Sequence, residues 1–307
     1  MKRTGGVLRI HFTAADLLAT RIRAEPDPMW ESVLSACRPG LARGGLLGDL
    51  IPLRGNFPDF LTPATSSGEM AEGLETIRAL PRRSLSHDLD PRRLRRPATA
   101  YTRALASGDR TAMELLTAAL VRQFRVAVEP VLPVIRQSLA ADQQTRLRRF
   151  ASGGLGGLLE GLAPVLRWRA PYLEADYPVC HEIDLDGRGL ELIPSYFCDR
   201  TPVTFIDPGL PPVLVFPVRP ARGSPPAAEA EVRRLAPVFG RTRALILVTL
   251  RLPHSTTELA EAMGMSAATA SQQATVLREA GFVVSRRTGQ SMVHLLSPLG
   301  RVVVDGS

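Results

Sequence analysis

The amino-acid sequence predicts an α+β protein of two domains, a mixed helix and small-sheet domain over residues 1–222 and a smaller, helix-rich domain over residues 223–307. Three observations support this prediction. The run from Pro217 to Pro226 combines Pro, Gly, Ser and Arg, as linkers do. Before that run, helical and β-like patterns alternate. After it, helix caps and helical apolar spacing recur at short intervals.

The N-terminal domain opens with a predicted strand over Leu8–Phe12, where apolar and polar side chains alternate. Thr13 and Asp16 form a capping-box pattern, which predicts a short helix. Asp27 before Pro28 predicts the start of another helix, because Asp is a good cap and proline suits the first helical position. A further helix is predicted over residues 68–80.

A long helical region is predicted over residues 111–150, capped by Asp109 and bent near Pro130 and Pro133. The glycine-rich run Gly153–Gly161 predicts a loop or the start of a short helix, since it matches neither a dinucleotide-binding pattern nor a P-loop. No nucleophile elbow or zinc-protease motif occurs either. The sequence therefore predicts no enzyme and no cofactor.

From Leu166 to Val218 the pattern changes to short β-like runs. Asp186-Gly187 lies between two of them and predicts a β-hairpin. If that hairpin brings its strands together, Cys180, His181 and Cys198 could meet in a metal site. Their wide spacing favours the alternative of buried cysteines, so no metal site is predicted.

Arginines are concentrated between residues 82 and 96, where Asp88 and Asp90 interrupt the run. The members are Arg82, Arg83, Arg92, Arg93, Arg95 and Arg96. Such a run is usually a solvated loop or helix face, and the alternative is a non-specific contact with phosphates.

The whole chain carries a net charge of +8, which makes a polyanionic partner plausible. Nucleic acid is the first candidate and an anionic membrane surface the second. No apolar run reaches the length of a membrane span, and the basic start lacks the apolar core of a signal peptide. We therefore expect a cytoplasmic protein that does not enter a membrane.

The C-terminal domain has the clearest pattern of elements. A predicted helix over residues 241–251 is followed by a second over residues 257–263, capped by Ser255 or Thr256. Gly264 permits a tight turn, and Ser266 caps a third helix over residues 267–280. FVVSRR and SMVHLL then read as two strands of a hairpin. A helix-turn-helix followed by a basic β-hairpin predicts a winged helix-turn-helix.

The third helix exposes a polar, uncharged face in its first half, which suits contacts with base edges in the major groove. Arginines on the hairpin and the first helix suit phosphates. The predicted DNA-binding residues are Ala267, Thr269, Ser271, Gln272, Gln273, Thr275, Arg286, Arg287, Gln290, Arg241 and Arg243.

The run TTELAEAMGMSAATASQQATVLREAGFVVSRRTGQSMVHLLSPLG resembles the ArsR-type winged-helix transcription regulators. The similar features are TELA, the S-x-x-T-x-S run, LREAG, the R-R-x-G wing and the closing SPLG. LRIHFTAADLL, PDPMWESVLS and PDFLTP resemble the long N-terminal extension of the actinobacterial group of these regulators. The resemblance implies a transcription regulator that binds double-stranded DNA. Metal-sensing cysteines known in the family have no counterpart in TTELAEAM.

We therefore predict a homodimeric transcription regulator, a repressor that recognises a palindromic operator. A small-molecule effector at the N-terminal domain is an accompanying hypothesis. Little sequence follows SPLG, so the dimer interface is expected on the first helix of the C-terminal domain or on the N-terminal domain. The alternative function is a non-catalytic interaction scaffold, in which the winged helix docks another protein.

Overall fold

The computed structural model describes residues 5–38, 45–52, 55–64, 69–198, 201–218, 225–251, 253–288 and 291–305. The chain divides into two compact units. One comprises residues 1–37 and 44–221, here called the N-terminal unit, and the other comprises residues 38–43 and 222–307, the C-terminal unit. Helices and several small sheets are both present, so the α+β class is confirmed. Among the described residues, no helix has the length and apolar character needed to cross a membrane.

Along the sequence of the N-terminal unit, most helices lie in the middle and the strands lie in the first and last segments. In chain order the elements are β1 Gly6–His11, α1 Ala14–Ala19, β2 Arg21–Ile22, α2 Pro28–Ala36, α3 Leu46–Leu50, α4 Met70–Arg78, α5 Arg82–Asp88, α6 Pro91–Leu94, α7 Ala100–Ala106, α8 Arg110–Gln123, α9 Leu132–Glu160, β3 Leu166–Arg169, β4 Tyr172–Tyr177, β5 His181–Asp184, β6 Glu191–Ser195 and β7 Val213–Pro217.

The first strands of the chain pair with strands that lie more than 150 residues later in the sequence. One sheet has the order β3-β4-β1-β5, in which β1 is antiparallel to β4 and parallel to β5. The other sheet is parallel and has the order β2-β6-β7. One apolar core receives side chains from both sheets, among them Ile10, Leu173 and Leu214.

The hairpin predicted at Asp186-Gly187 is wrong. Both residues have positive φ and turn the chain, but β5 and β6 on either side of them join different sheets. Cys180 is exposed, whereas Cys198 is buried with its thiol near the carbonyl oxygen of Thr201. The turn therefore does not bring Cys180, His181 and Cys198 together as ligands.

The long helical region bends where the prolines predict. A π-helical segment over Phe124–Val128 and a 3-10 turn over Glu129–Val131 separate α8 from α9. Of the two alternatives for the glycine-rich run, the loop is wrong and the start of a short helix agrees with the structure, because a helical segment begins after a kink within α9 and runs to Glu160. Gly154 has a φ of 58° and marks a kink within that helix, a conformation that glycine adopts without steric cost.

The C-terminal unit combines five helices and three strands within its described residues. They are α10 Pro225–Phe239, α11 Arg241–Thr249, β8 His254–Ser255, α12 Thr256–Met263, α13 Ala267–Glu279, β9 Val283–Thr288, β10 Ser291–Leu296 and α14 Pro298–Asp305. The strands form one antiparallel sheet in the order β8-β10-β9.

Three elements of this unit differ from the sequence analysis. Helix α10 begins at Pro225, inside the predicted linker, of which residues 219–224 lie outside the described part of the chain. Strand β8 was not predicted. Helix α14 begins at Pro298, inside SPLG, although too little sequence was expected after SPLG for a helix. Its first turn is capped by Ser297, whose hydroxyl accepts from the N–H of Gly300 and donates to the carbonyl oxygen of Gly281.

Local caps set the boundaries of α12 and α13. Ser255 and Glu258 form a reciprocal capping box at the start of α12, so Ser255 rather than Thr256 is the cap. Gly264 ends α12 with a φ of 63°, and Ser266 caps α13 by accepting from the N–H of Thr269. A turn of three residues therefore joins the two helices.

Candidate nucleic-acid interface

Helix α13 has one apolar face and one exposed, uncharged face. Ala270, Ala274 and Leu277 are buried in the core of the C-terminal unit, with Ile246 of α11 and Leu259 of α12. The helical repeat then places the residues between them at the surface. The exposed positions in its first half are Ala267, Ala268, Thr269, Ser271 and Gln272. No charged side chain lies on α13 before Arg278.

The two adjacent glutamines of α13 have different surroundings. Gln273 is half-buried, and its side-chain oxygen accepts from Nε of Arg243 at 3.0 Å. This bond ties α11 to α13. Gln272 is exposed, and its amide makes no hydrogen bond to any described residue. Of the two, Gln272 is therefore the side chain with a free donor and a free acceptor.

The other residues of α11 and α13 that were predicted to contact DNA differ in exposure and in hydrogen bonding. Thr269 shares a hydrogen bond with the Ser266 hydroxyl at 2.9 Å, so its side chain is held close to the start of α13. Thr275 is half-buried. Arg241 is exposed at the first turn of α11, while Arg243 is half-buried and bonded to Gln273. Arg243 thus has a positioning contact that the sequence did not reveal.

The hairpin of β9 and β10 carries exposed arginines. Arg286 pairs with Val293 and Arg287 with Met292 across the hairpin, and both guanidinium groups are exposed. Since neighbouring residues of a strand point to opposite faces, these two arginines lie on opposite sides of the hairpin. Gln290, predicted to contact DNA from the same hairpin, lies outside the described residues.

His294 fastens the hairpin to α12. Its Nδ1 lies 2.8 Å from the Ser285 hydroxyl and its Nε2 lies 3.0 Å from the Thr256 hydroxyl. Burial lowers the pKa of His294, and the charge of Arg278 lowers it further. A neutral imidazole can serve as donor at one nitrogen and acceptor at the other, so it suits a bridge between two hydroxyls.

Positive charge on the C-terminal unit is modest and partly used inside it. From residue 229 to residue 305 the sequence has nine arginines and six acidic residues. Arg251 pairs with Glu231 at 2.6 Å, and Arg234 donates to the carbonyl oxygens of Val303 and Val304 at the end of α14. Four exposed arginines make no such contact within the described residues, namely Arg233, Arg278, Arg286 and Arg287. They are the charges available to a phosphate backbone.

Sequence analysis missed two exposed positions of α13, Ala268 and Arg278. Helical spacing places Ala268 one turn before Gln272, so periodicity alone could have identified it. Arg278 lies in the last turn of α13, where its charge reaches His294. Nothing in its local sequence indicates that proximity, because the two residues meet only through the fold.

In the N-terminal unit one cluster has the composition of a metal site. His87, Asp88 and Asp207 are the one set of three suitable ligands that the described residues bring within reach of each other. Arg93 already occupies that cluster, since its guanidinium lies 2.6 Å from Nε2 of His87 and 3.8 Å from a carboxylate oxygen of Asp207. The cluster is therefore an ion-pair network.

A surface cavity of about 500 Å³ lies in the N-terminal unit beside α8. Its apolar lining includes Ala118, Val121 and Val126, and Arg78 and Arg125 stand at its edge. The volume lies in the range of small-molecule sites.

Comparison with protein-family models, curated proteins and solved structures finds no significant match to this chain. The resemblance to ArsR-type regulators accordingly rests on the sequence motifs alone.

Proposed function

We propose that the C-terminal unit is a winged helix-turn-helix and that the protein is a transcription regulator binding double-stranded DNA. The exposed, uncharged first half of α13 is the observation that carries this proposal. The order of α11, β8, α12, α13 and the β9–β10 hairpin is that of a winged helix-turn-helix. The resemblance of the same segment to ArsR-type regulators supports the same function.

In this proposal α13 is the recognition helix. Its thirteen residues span about 20 Å, and the major groove admits a helix of that kind. Gln272 pairs with an adenine through its free amide, while Ser271 and Thr269 supply hydroxyl contacts. Ala267 and Ala268 let the helix approach the bases closely. Arg286 and Arg287 hold the phosphate backbone from the hairpin.

The protein acts as a homodimer, because one C-terminal unit has too little positive charge for strong binding by itself. Two copies place their α13 helices in successive major grooves, about 34 Å apart, on a palindromic operator. The sequence analysis placed the dimer interface elsewhere because no helix was expected near the C-terminal end of the chain. Helix α14 lies there, so this end can also contribute to the dimer interface. Leu299 and Val302 of α14 are about half exposed, so α14 is the proposed contact with the second copy.

The regulator is proposed to be a repressor. An operator-bound dimer covers DNA that the transcription machinery needs. The cavity beside α8 is the proposed place for a small-molecule effector. A change in thermal midpoint on addition of a ligand would support this part, since a ligand that binds only the folded state raises stability.

The test of the function is binding of the full-length chain to its own upstream DNA, with a scrambled duplex of equal composition as control. We expect a footprint of two half-sites about one helical turn apart that survives moderate salt. Equal binding of both duplexes, lost as salt rises, would contradict recognition of an operator.

An interaction scaffold is the second candidate. The observation in its favour is exposed apolar surface on the C-terminal unit, where Val238 is 79% exposed in addition to Leu299 and Val302. A scaffold would form a salt-insensitive complex with a protein partner and would show no affinity for duplex DNA. The binding experiment above separates the two functions.

A further inference from the structure

Positive charge is concentrated in the N-terminal unit between Pro81 and Arg110. This stretch has eight arginines, three aspartates and no other formally charged residue, which gives a net charge of +5. The whole chain has a net charge of +8. Most of the excess charge therefore lies in thirty residues, in the unit that the proposed function leaves without a role in DNA binding.

The three aspartates of this stretch bond to backbone N–H groups, and none forms an ion pair with an arginine of the stretch among the described residues. Asp90 accepts from the N–H of Arg92 at the start of α6, and Asp109 accepts from the N–H of Ala112 at the start of α8. Asp88 is half-buried and accepts from the N–H of Phe60. Each carboxylate is thus engaged with backbone N–H groups.

The arginines themselves fall into two sets. Arg93 and Arg96 are half-buried and bonded inside the unit, Arg93 to His87 and Arg96 to the carbonyl oxygen of Leu50. Arg103 and Arg110 have partners on their own helices or next to them. The remaining four are exposed and make no side-chain hydrogen bond or ion pair with the described residues, namely Arg82, Arg83, Arg92 and Arg95.

These four arginines, here called the α5–α6 arginines, occupy the two ends of one short helix. Arg82 and Arg83 begin α5, and the bond from Arg93 to His87 holds α6 against its last turn. The seven residues of α5, Arg82 and Arg83 among them, span about 10 Å, which sets the scale of the separation between the two pairs. That distance equals about three base-pair steps along one DNA strand, so each pair can face phosphates of the same backbone.

We infer that the α5–α6 arginines form a second contact of this protein with duplex DNA, directed at the phosphate backbone. Guanidinium groups bind phosphate oxygens through paired hydrogen bonds, and free arginines are the donors this needs. A membrane is the less suitable partner, because none of residues 81–110, all of which are described, is a large exposed apolar side chain. The inference extends the proposed function by giving the N-terminal unit a part in DNA binding. It rests on the proposed function only for the assumption that the anionic partner is double-stranded DNA.

The test compares the salt dependence of duplex binding by full-length variants. The variant replaces the four side chains together and keeps the Cβ and Cγ atoms of each, with the substitutions Arg82→Gln, Arg83→Gln, Arg92→Gln and Arg95→Gln. A matched control removes the same charge from exposed arginines elsewhere in the N-terminal unit and away from the cavity beside α8, with Arg21→Gln, Arg136→Gln, Arg148→Gln and Arg169→Gln.

We expect the slope of log K against log salt to become shallower by about 3 to 4 in the α5–α6 variant, because each lost phosphate contact removes about 0.9. The control should retain most of the wild-type slope. The ratio of affinities for operator and scrambled duplex should not change, since backbone contacts carry no sequence information. An unchanged slope in a folded variant would overturn the inference, as would an equal change in the control.

Failure of this inference differs from failure of the proposed function. A shallower slope without preference for the upstream DNA would support the α5–α6 arginines and contradict operator recognition. A strong preference for the upstream DNA, with the same salt slope in the α5–α6 variant as in the wild type, would support operator recognition and contradict the role of the α5–α6 arginines. Binding to vesicles rich in anionic lipid through the same four arginines, with no effect of the substitutions on duplex binding, would reassign the surface to a membrane and overturn the assignment to DNA.

Discussion

The two units keep their acidic side chains in different places. The N-terminal unit buries Asp16, Asp27, Glu31 and Asp59. In the C-terminal unit, every acidic side chain whose position is described is at least partly exposed, as Glu258 and Glu279 are. Burying a carboxylate costs free energy unless it accepts hydrogen bonds, so the first arrangement needs partners that the second does not.

For Glu31 and Asp59 those partners include backbone N–H groups of distant segments. The Glu31 carboxylate on α2 accepts from the N–H groups of Tyr196 and Phe197 and from the Ser195 hydroxyl, at 2.8 to 3.0 Å. Asp59 accepts from Ile206 and Asp207 in the same way. The N-terminal unit thus uses buried carboxylates to join remote parts of its chain, whereas no acidic side chain is buried among the described residues of the C-terminal unit.

The largest expected effect comes from removing the Glu31 carboxylate. Glu31→Ala leaves two buried N–H groups and one hydroxyl without their acceptor, which should lower the free energy of unfolding of the N-terminal unit by about 3 kcal/mol or more. Denaturant titration followed by tryptophan fluorescence measures this, since Trp30 and Trp168 both belong to that unit. Glu160→Gln, at an exposed position, is the matched control. Equal midpoints for the two variants would contradict the role of Glu31.

The two units should respond to pH in opposite directions. Burial raises the pKa of Glu31 from 4.5 to about 7, so the folded state holds a proton that the unfolded chain releases. The free energy of unfolding of the N-terminal unit should therefore fall as pH rises from about 4.5 to about 7, by about 3 kcal/mol. Burial lowers the pKa of His294 below its ordinary 6.5, so the C-terminal unit should lose stability as pH falls below 6.5.

Amide hydrogen exchange resolved by region measures both responses in the same sample. His294→Gln should remove most of the acid-side loss in the C-terminal unit and leave the N-terminal unit unchanged. If the free energy of unfolding changed with pH in the same direction in both units, the proposed difference between the two units would be wrong.

A smaller effect is expected at the free glutamine of α13. Gln272→Ala should weaken operator binding by about 1 to 3 kcal/mol, roughly 5- to 150-fold, because a bidentate pair with adenine is lost. Binding to a scrambled duplex should not change. Gln144→Ala, at an exposed position of α9, is the control. A Gln272→Ala variant that keeps full operator preference would show that α13 does not recognise bases through this side chain.

The smallest effect is expected at the turn between α12 and α13. Gly264→Ala places a side chain at a φ of 63° and should destabilise the C-terminal unit by about 1 kcal/mol. Thermal unfolding of that unit measures the loss. Gly153→Ala, at a position without positive φ and with open space around it, should not destabilise and serves as the control. A loss as large as that of Glu31→Ala would mean that the C-terminal unit depends on more than its apolar core.

Sequence patterns predicted elements well where local signals define them. Ser266 and Gly264 act on residues within one or two turns, so the limits of α13 differ from the prediction by a single residue. The exposed face of that helix also follows from its periodicity. The partner of Gln273 did not, because Arg243 lies thirty positions earlier and meets it only after α11 and α13 pack.

The failures have the same physical origin. Asp186-Gly187 has the composition of a hairpin turn, but β5 and β6 pair in parallel with strands near the start of the chain. Parallel pairing leaves no signature in the residues between the strands. Helix α14 was not predicted because only the few residues after SPLG were considered, whereas the helix begins at Pro298 inside it. Its cap, Ser297, also donates to the carbonyl oxygen of Gly281, a contact that only the fold creates.

The pairing of β1 with β4 has a consequence for how the chain is made. Gly6 lies opposite Tyr177, so the first strand has no partner until about 170 further residues have been synthesised. At translation speeds of roughly 5 to 20 residues per second, the nascent chain holds this strand unpaired for about 10 to 30 s. Helices α2 to α9 leave the ribosome during that interval. Both sheets of the N-terminal unit can therefore complete their strand pairing only late in synthesis, after helices α2 to α9 have been made.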